Sequence, residues 1–240
     1  MDLRTIVKWV VIVLVIYILY LWLFGDARRA HLAGLRSAKK ELTISANNLP
    51  GGATSDYTYS IWVYVNSWNY RVGEQKVIFG RVDNGGNVAP EIAFDSTLNN
   101  AVVTLATYAA PVDGKGGGSS TGTHTCTLEN VPLQAWANII ITVNNRTLDL
   151  YLDGKLVRTC VLPGVPRIGG GSDVYVTPGG GFGGYTSNFQ YWARAVNPRE
   201  AYAIYREGPG TGSYFSNLFN KYRVKIAFLK DNREVNSFEI

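Results

Sequence analysis

The chain is poor in the side chains from which most catalytic and metal sites are built: of 240 residues, 2 are His, 2 are Cys and 1 is Met. His31 and His124 stand far apart, and no CxxC or paired Cys/His spacing occurs, so zinc has no ligand set. With His31 in the stalk and His124 in a strand, a Ser/His/Asp triad has no strong support either, and His124 reads as a strand residue with a satisfied hydrogen bond. Charge is sparse too, at 17% of residues, and much of the net +5 comes from Arg28, Arg29, Arg36, Lys39 and Lys40 set against Asp26 and Glu41. The rest of the chain is close to neutral, which argues against a nucleic-acid surface.

One long apolar run is present. From Trp9 to Phe24 the sequence reads WVVIVLVIYILYLWLF, and with Ile6, Val7 and a Lys8 able to snorkel it reaches bilayer-spanning length. Bulky Trp22, Leu23 and Phe24 stand where a leader peptide would carry small residues, and Trp9, Tyr20 and Trp22 sit near the run's ends as interfacial aromatics do. The run therefore reads as a retained single-pass anchor over 1–25, with Arg28 and Arg29 at the headgroups. The greater positive charge on its C-terminal side predicts that the bulk of the chain stays cytosolic. The sequon Asn145-Arg146-Thr147 would suit the opposite orientation.

Residues 26–50 read as a basic stalk or linker, with helical periodicity in LAGLRSAKKEL. Beyond Pro50-Gly51-Gly52, short runs of β-branched and aromatic residues alternate with turn residues: YTYSIWVYV, QKVIFGRV, EIAFDS, AVVTLATY, THTCTLE, WANIIITVN, TLDLYLDG and KLVRTCVL. Two more strands fall near Val174–Val176 and Gly184–Trp192, and the only helix expected after residue 50 starts at Pro198. Many antiparallel strands at short spacing predict an all-β, two-sheet jelly-roll sandwich over 51–210. The alternation in YRVKIAFLK and the polar turn after it predict a C-terminal hairpin extension over 211–240.

The glycine-rich pieces DGKGGGSSTG and GGGSDVYVTPGGGFGG lack the GxxxxGK[ST] order and open no helix, so they read as loops. Cys126 and Cys160 are compatible either with a disulfide or with two buried thiols; the strands between them fold back on each other, which favours the bridge. In a cytosolic domain that bridge would need a dedicated oxidising system.

The segments YTYSIWVYV, PLQAWANIIITVNNRTLDLYLDGKLV, RIGGG and GGYTSNFQYWARAVNPREAYAIYREGP, in that order, resemble the laminin-G-like members of the concanavalin A-like lectin/glucanase superfamily. The resemblance spans most of 55–210 and implies the sandwich, but families of this fold include glycan binders, calcium-dependent modules, glycosidases and structural domains. Glycosidases of the superfamily carry catalytic acids on alternate strand residues. Here Glu91-Ile92-Ala93-Phe94-Asp95 keeps only the outer two, about 13 Å apart by strand rise, too far to act as a pair. The reading is thus non-enzymatic, with no catalytic residue and no required cofactor.

Calcium, which laminin-G-like sandwiches often hold, would have to come from Asp83, Asp95, Asp113 and Asp173, which share no uniting spacing. Glycan stacking would fall to the strand-end aromatics Trp68, Tyr70, Tyr108 and Tyr185, while Trp62, Trp136 and Trp192 read as core. A further resemblance, carried by CTLENVPLQAWANI, LDLYLDGKLVRTCVLPGVP and the tail KYRVKIAFLKDNREVNSFEI together with the N-terminal run, is to proteins of large nucleocytoplasmic DNA viruses. It implies a minor, capsid-associated virion protein that links an inner viral membrane to the capsid, with the C-terminal domain on the capsid side. The rival expectation is a membrane-anchored, lectin-like surface protein.

Overall fold

The computed structural model describes residues 3–24, 27–51, 54–108, 121–210, 225–230 and 233–239. An N-terminal helix, α1 (Leu3–Phe24), is followed by three short strands, β1 (Arg29–Ala33), β2 (Arg36–Ser37) and β3 (Leu42–Ile44). Then come β4 (Tyr57–Ser67), β5 (Lys76–Val82), β6 (Val88–Phe94), β7 (Ala101–Tyr108), β8 (Thr121–Leu128), β9 (Trp136–Asn144), β10 (Thr147–Leu152), β11 (Lys155–Val161), β12 (Val174–Val176) and β13 (Gly183–Trp192). The helix α2 (Pro198–Arg206) precedes a separate antiparallel pair, β14 (Lys225–Lys230) and β15 (Arg233–Glu239).

Thirteen of these strands form two antiparallel sheets. Sheet A runs β1-β13-β4-β9-β10-β11, with β2 also on β13, and sheet B runs β3-β12-β5-β6-β7-β8. This is the two-sheet sandwich that alternation predicts. In β4, Tyr59, Ile61, Val63 and Val65 enter the core between the sheets, while Thr58, Ser60, Trp62 and Tyr64 take the other face. Tyr59 lies at the middle of the core's aromatic packing, with ring centroids 5.1 Å from Phe79, 5.9 Å from Phe189 and 4.9 Å from Tyr191. Burial pushes its hydroxyl pKa well above the usual value, against the nearby Arg81.

At the end of the sandwich where β11 and β8 are the edge strands, Cys160 and Cys126 are joined in a disulfide with Cα atoms 6.3 Å apart. The bridge clasps one sheet to the other and closes a 34-residue separation.

Two expectations from sequence change. The periodic segment read as a helical stalk instead contributes β1, β2 and β3, which extend both sheets by pairing with β13 and β12. Gly34 interrupts the helical pattern, and unfilled strand edges offer those backbone groups partners that an isolated short helix lacks. The single-pass membrane expectation, and the virion-membrane location built on it, is also overturned: among the described residues no helix is long and apolar enough to cross a membrane. Trp9 is exposed on α1, whereas the side chains of Tyr20 and Trp22 lie outside the described set.

Candidate functional site

The outer face of sheet A is divided into a covered and an open part. α2 starts at Pro198 behind the N-cap Asn197, whose side chain accepts from the Glu200 N–H while the Glu200 carboxylate accepts from the Asn197 N–H. This capping box fixes the helix where the chain leaves β13. Its buried residues Ala201 and Ile204 pack with Ile140, Tyr151, Trp192 and Val196 into a second, smaller core. Tyr205 stacks on Trp62 with ring centroids 5.5 Å apart. The close fit requires Gly154 in the β10–β11 turn: its φ is +73°, and a Cβ there would stand 2.8 Å from Tyr205 Cβ.

Behind α2 the chain is tied down by polar side chains of β13. The Ser187 hydroxyl donates to the Pro209 carbonyl at 2.7 Å, and Asn188 Nδ2 donates to the Gly208 carbonyl at 2.9 Å. Gln190 Nε2 donates to the Glu207 carboxylate at 3.1 Å, and Arg29 Nε donates to Gln190 Oε1 at 2.9 Å. Arg29 also pairs with Glu207 and lies 5.3 Å over the Trp192 ring. The residue expected at lipid headgroups is thus placed as a tie between β1 and the end of α2. Arg28 precedes it, exposed, with its carbonyl accepting from the Ala193 N–H at 2.9 Å.

Two residues further along β4 from Trp62, the cover stops. Tyr64 is opposite Tyr185 of β13 on one side and Trp136 of β9 on the other, so the three aromatics form one row across three neighbouring strands. Tyr64 and Trp136 lie 5.5 Å apart at 55°. Together with Leu35 they line a shallow groove of about 290 Å³, in which Tyr185 is 47% and Leu35 52% exposed. Gly184 permits this row: the pairing slips between Gly183 and Gly184, and a Cβ on Gly184 would come 1.9 Å from the Tyr64 carbonyl oxygen. Any side chain there would force β13 off β4 and move Tyr185 away from Tyr64.

The other aromatics singled out from sequence do not join the groove. Trp68 packs edge-on against core Phe94 at 5.8 Å and is covered by Lys76, whose Nζ lies 4.5 Å over the ring. Tyr70 lies under Lys39 at 4.7 Å, and Tyr108, though 46% exposed, lies under the Arg167 guanidinium at 4.3 Å on sheet B. Trp136, read as core, is only half-buried, and Trp62 is buried beneath α2 rather than between the sheets. The missed members, Tyr64 and Trp136, carry a signal in the sequence. The alternation that puts Tyr59, Ile61 and Val63 inside puts Tyr64 outside, and the 136–144 strand pairs with it.

The acids that might hold calcium serve local structure. Asp83 Oδ1 accepts from the Gly85 and Asn87 N–H groups, both at 2.8 Å, and Oδ2 accepts from Arg167 at 3.2 Å. Burial alone would raise its pKa, but the hydrogen bonds from Asn87, Gly85 and Arg167 outweigh it and hold the carboxyl below its usual value. Asp95 Oδ1 accepts from the Thr97 and Leu98 N–H groups and the Thr97 hydroxyl, which lowers its pKa too. Asp173 accepts from the Ala46 N–H at 3.0 Å, and Asp113 lies outside the described residues. Among the described residues no group of three or more His, Cys, Asp or Glu side chains is placed to hold a metal.

Glu91 lies on the outer face of sheet B, in a row with Gly80 and Thr104, and burial raises its pKa. Asp95, the other end of that acidic stretch, is spent on its turn.

A family profile described as the concanavalin A-like lectin/glucanases superfamily matches residues 36–201. Among solved structures, the binding domain of botulinum neurotoxin serotype G is similar at a TM-score of 0.51 and 14% identity, covering 75% of this chain and 42% of that one. The ligand-binding domain of botulinum neurotoxin serotype D, solved in complex with N-acetylneuraminic acid, is similar at a TM-score of 0.54 and 10% identity, covering 76% and 51%. The chain therefore spans about half or less of these domains, and at such identity the likeness concerns the fold. No curated protein sequence matches the chain. With more than half of its residues inside the matched profile, the chain belongs to the concanavalin A-like lectin/glucanases superfamily.

Proposed function

We propose that the chain is a non-enzymatic, lectin-like binding module that takes a glycan in the groove of Leu35, Tyr64, Trp136 and Tyr185. The observation that carries this reading is the row of three aromatics across neighbouring strands that, with Leu35, lines a groove open among the described residues. Aromatic rings offer flat apolar faces to the C–H faces of a sugar, and the Tyr hydroxyls and Trp Nε1 supply polar contacts at their edges. A neighbour of the same fold was solved with a bound sialic acid, which makes a glycan the first ligand class to test.

The argument against hydrolysis is chemical. Glycoside cleavage by the usual route needs two carboxylates flanking one bond, at about 5 Å or about 6.5–9.5 Å, and Asp95, the acid that shares a strand face with Glu91 in the sequence, is engaged by the Thr97 and Leu98 N–H groups. The capsid-side tether is not carried forward, since it required a membrane span.

The test is a glycan array probed with the full chain and with Trp136→Ala. Binding of a defined glycan set by the wild type, lost in the variant, is the expected result. An array without hits would remove the glycan reading.

A further inference from the structure

The β9–β10 hairpin carries the chain's one Asn-x-Ser/Thr sequence at its tip. Asn145 is exposed in the two-residue turn between Asn144 and Thr147, with φ +52°. Its backbone is held, since its N–H donates to Asp56 Oδ1 at 2.8 Å, and the Thr147 hydroxyl donates to the Asn144 carbonyl at 2.8 Å. Its side-chain amide makes no hydrogen bond among the described residues and faces solvent. A bulky substituent on Nδ2 therefore breaks no hydrogen bond of the described residues.

A second, independent feature points to the same cellular route. Cys126 and Cys160 are bridged, and both are the only cysteines of the chain. Disulfides form and persist in oxidising compartments, the same compartments in which Asn-x-Ser/Thr sites are modified. Position adds a third point. Trp136 begins β9 and Asn145 follows its last residue, so about 30 Å of strand separates the modified tip from the aromatic groove. A glycan on Asn145 leaves the groove open.

We infer that Asn145 is an N-glycosylation site and that the domain folds in an oxidising, secretory-type compartment. In the transfer, Asn145 Nδ2 forms a bond to the anomeric carbon of an oligosaccharide carried on a lipid pyrophosphate. The bond from that carbon to the pyrophosphate oxygen breaks, the amide loses one proton, and the lipid pyrophosphate leaves. The inference concerns a covalently attached glycan at one end of sheet A and does not rest on the ligand proposed for the other.

The test is expression of the full chain in eukaryotic cells, with amidase digestion read by gel mobility and by peptide mass. The wild type and Thr147→Ser should show a single glycoform shift that digestion removes. Asn145→Gly should show none, because glycine keeps the left-handed turn but lacks the acceptor amide, so the variant separates modification from folding. Absence of a shift in wild type while a sequon-bearing control protein is modified in the same cells would overturn the inference. So would a shift that persists in Asn145→Gly.

Discussion

The two ends of sheet A's outer face are built from the same strands and the same kind of side chain, yet they have opposite fates. At one end Trp62 lies beneath Tyr205, and Ile140, Tyr151 and Trp192 are sealed by Ala201 and Ile204 of α2. At the other, two residues along β4, Tyr64 and Trp136 lie beside Tyr185, which is exposed among the described residues. Aromatics on the outside of a sheet are thus structural where a helix covers them and available where it stops. What separates the two is the length of one nine-residue helix and the latch that holds the chain beyond it.

Substitutions on the covered side should act on stability. Trp192→Ala removes a nearly fully buried ring from the smaller core and should cost about 3–5 kcal/mol, read as a lowered midpoint in denaturant. Replacing both cysteines by Ser releases the clasp between the sheets. For the 34-residue separation the chain-entropy relation gives about 3.8 kcal/mol, seen as a lower melting temperature that reductant does not lower further.

Asp83→Ala leaves the Gly85 and Asn87 amides and the Arg167 guanidinium short of an acceptor and should cost about 1–3 kcal/mol. Because the folded carboxyl titrates below its unfolded value, the Asp83 contribution is fully present above about pH 4 and is lost as pH falls through the lower, folded pKa. The stability gap between wild type and Asp83→Ala should therefore narrow in acid; a gap independent of pH from neutral down to strong acid would contradict the assignment. On the open side, Trp136→Ala should change stability least, by about 1 kcal/mol or less, since its ring is only half-buried.

The sandwich from β4 onward is legible in the sequence because alternation reports directly on a sheet with one face in the core. The first three strands are not, because β1, β2 and β3 are short and gain their partners only once β13 and β12 exist. Their strand state is a tertiary outcome that local periodicity cannot contain. The groove is half legible. Tyr185 stands out at a strand end after a glycine tract, but Trp136 reads as core, since sequence does not say where α2 stops. Trp68 is placed differently for the converse reason: the Lys76 ammonium lies over its ring and Phe94 packs on its edge, a cover that local sequence does not report.

The central claim is that the uncovered aromatic row is the binding surface. It is tested most directly by calorimetric titration of an array-positive glycan into wild type and Trp136→Ala, with the melting temperature of each measured alongside. The account predicts at least about tenfold weaker binding, or about 1.4 kcal/mol, with closely similar melting. Equal affinity in the two proteins would contradict it and place the ligand elsewhere on the sandwich.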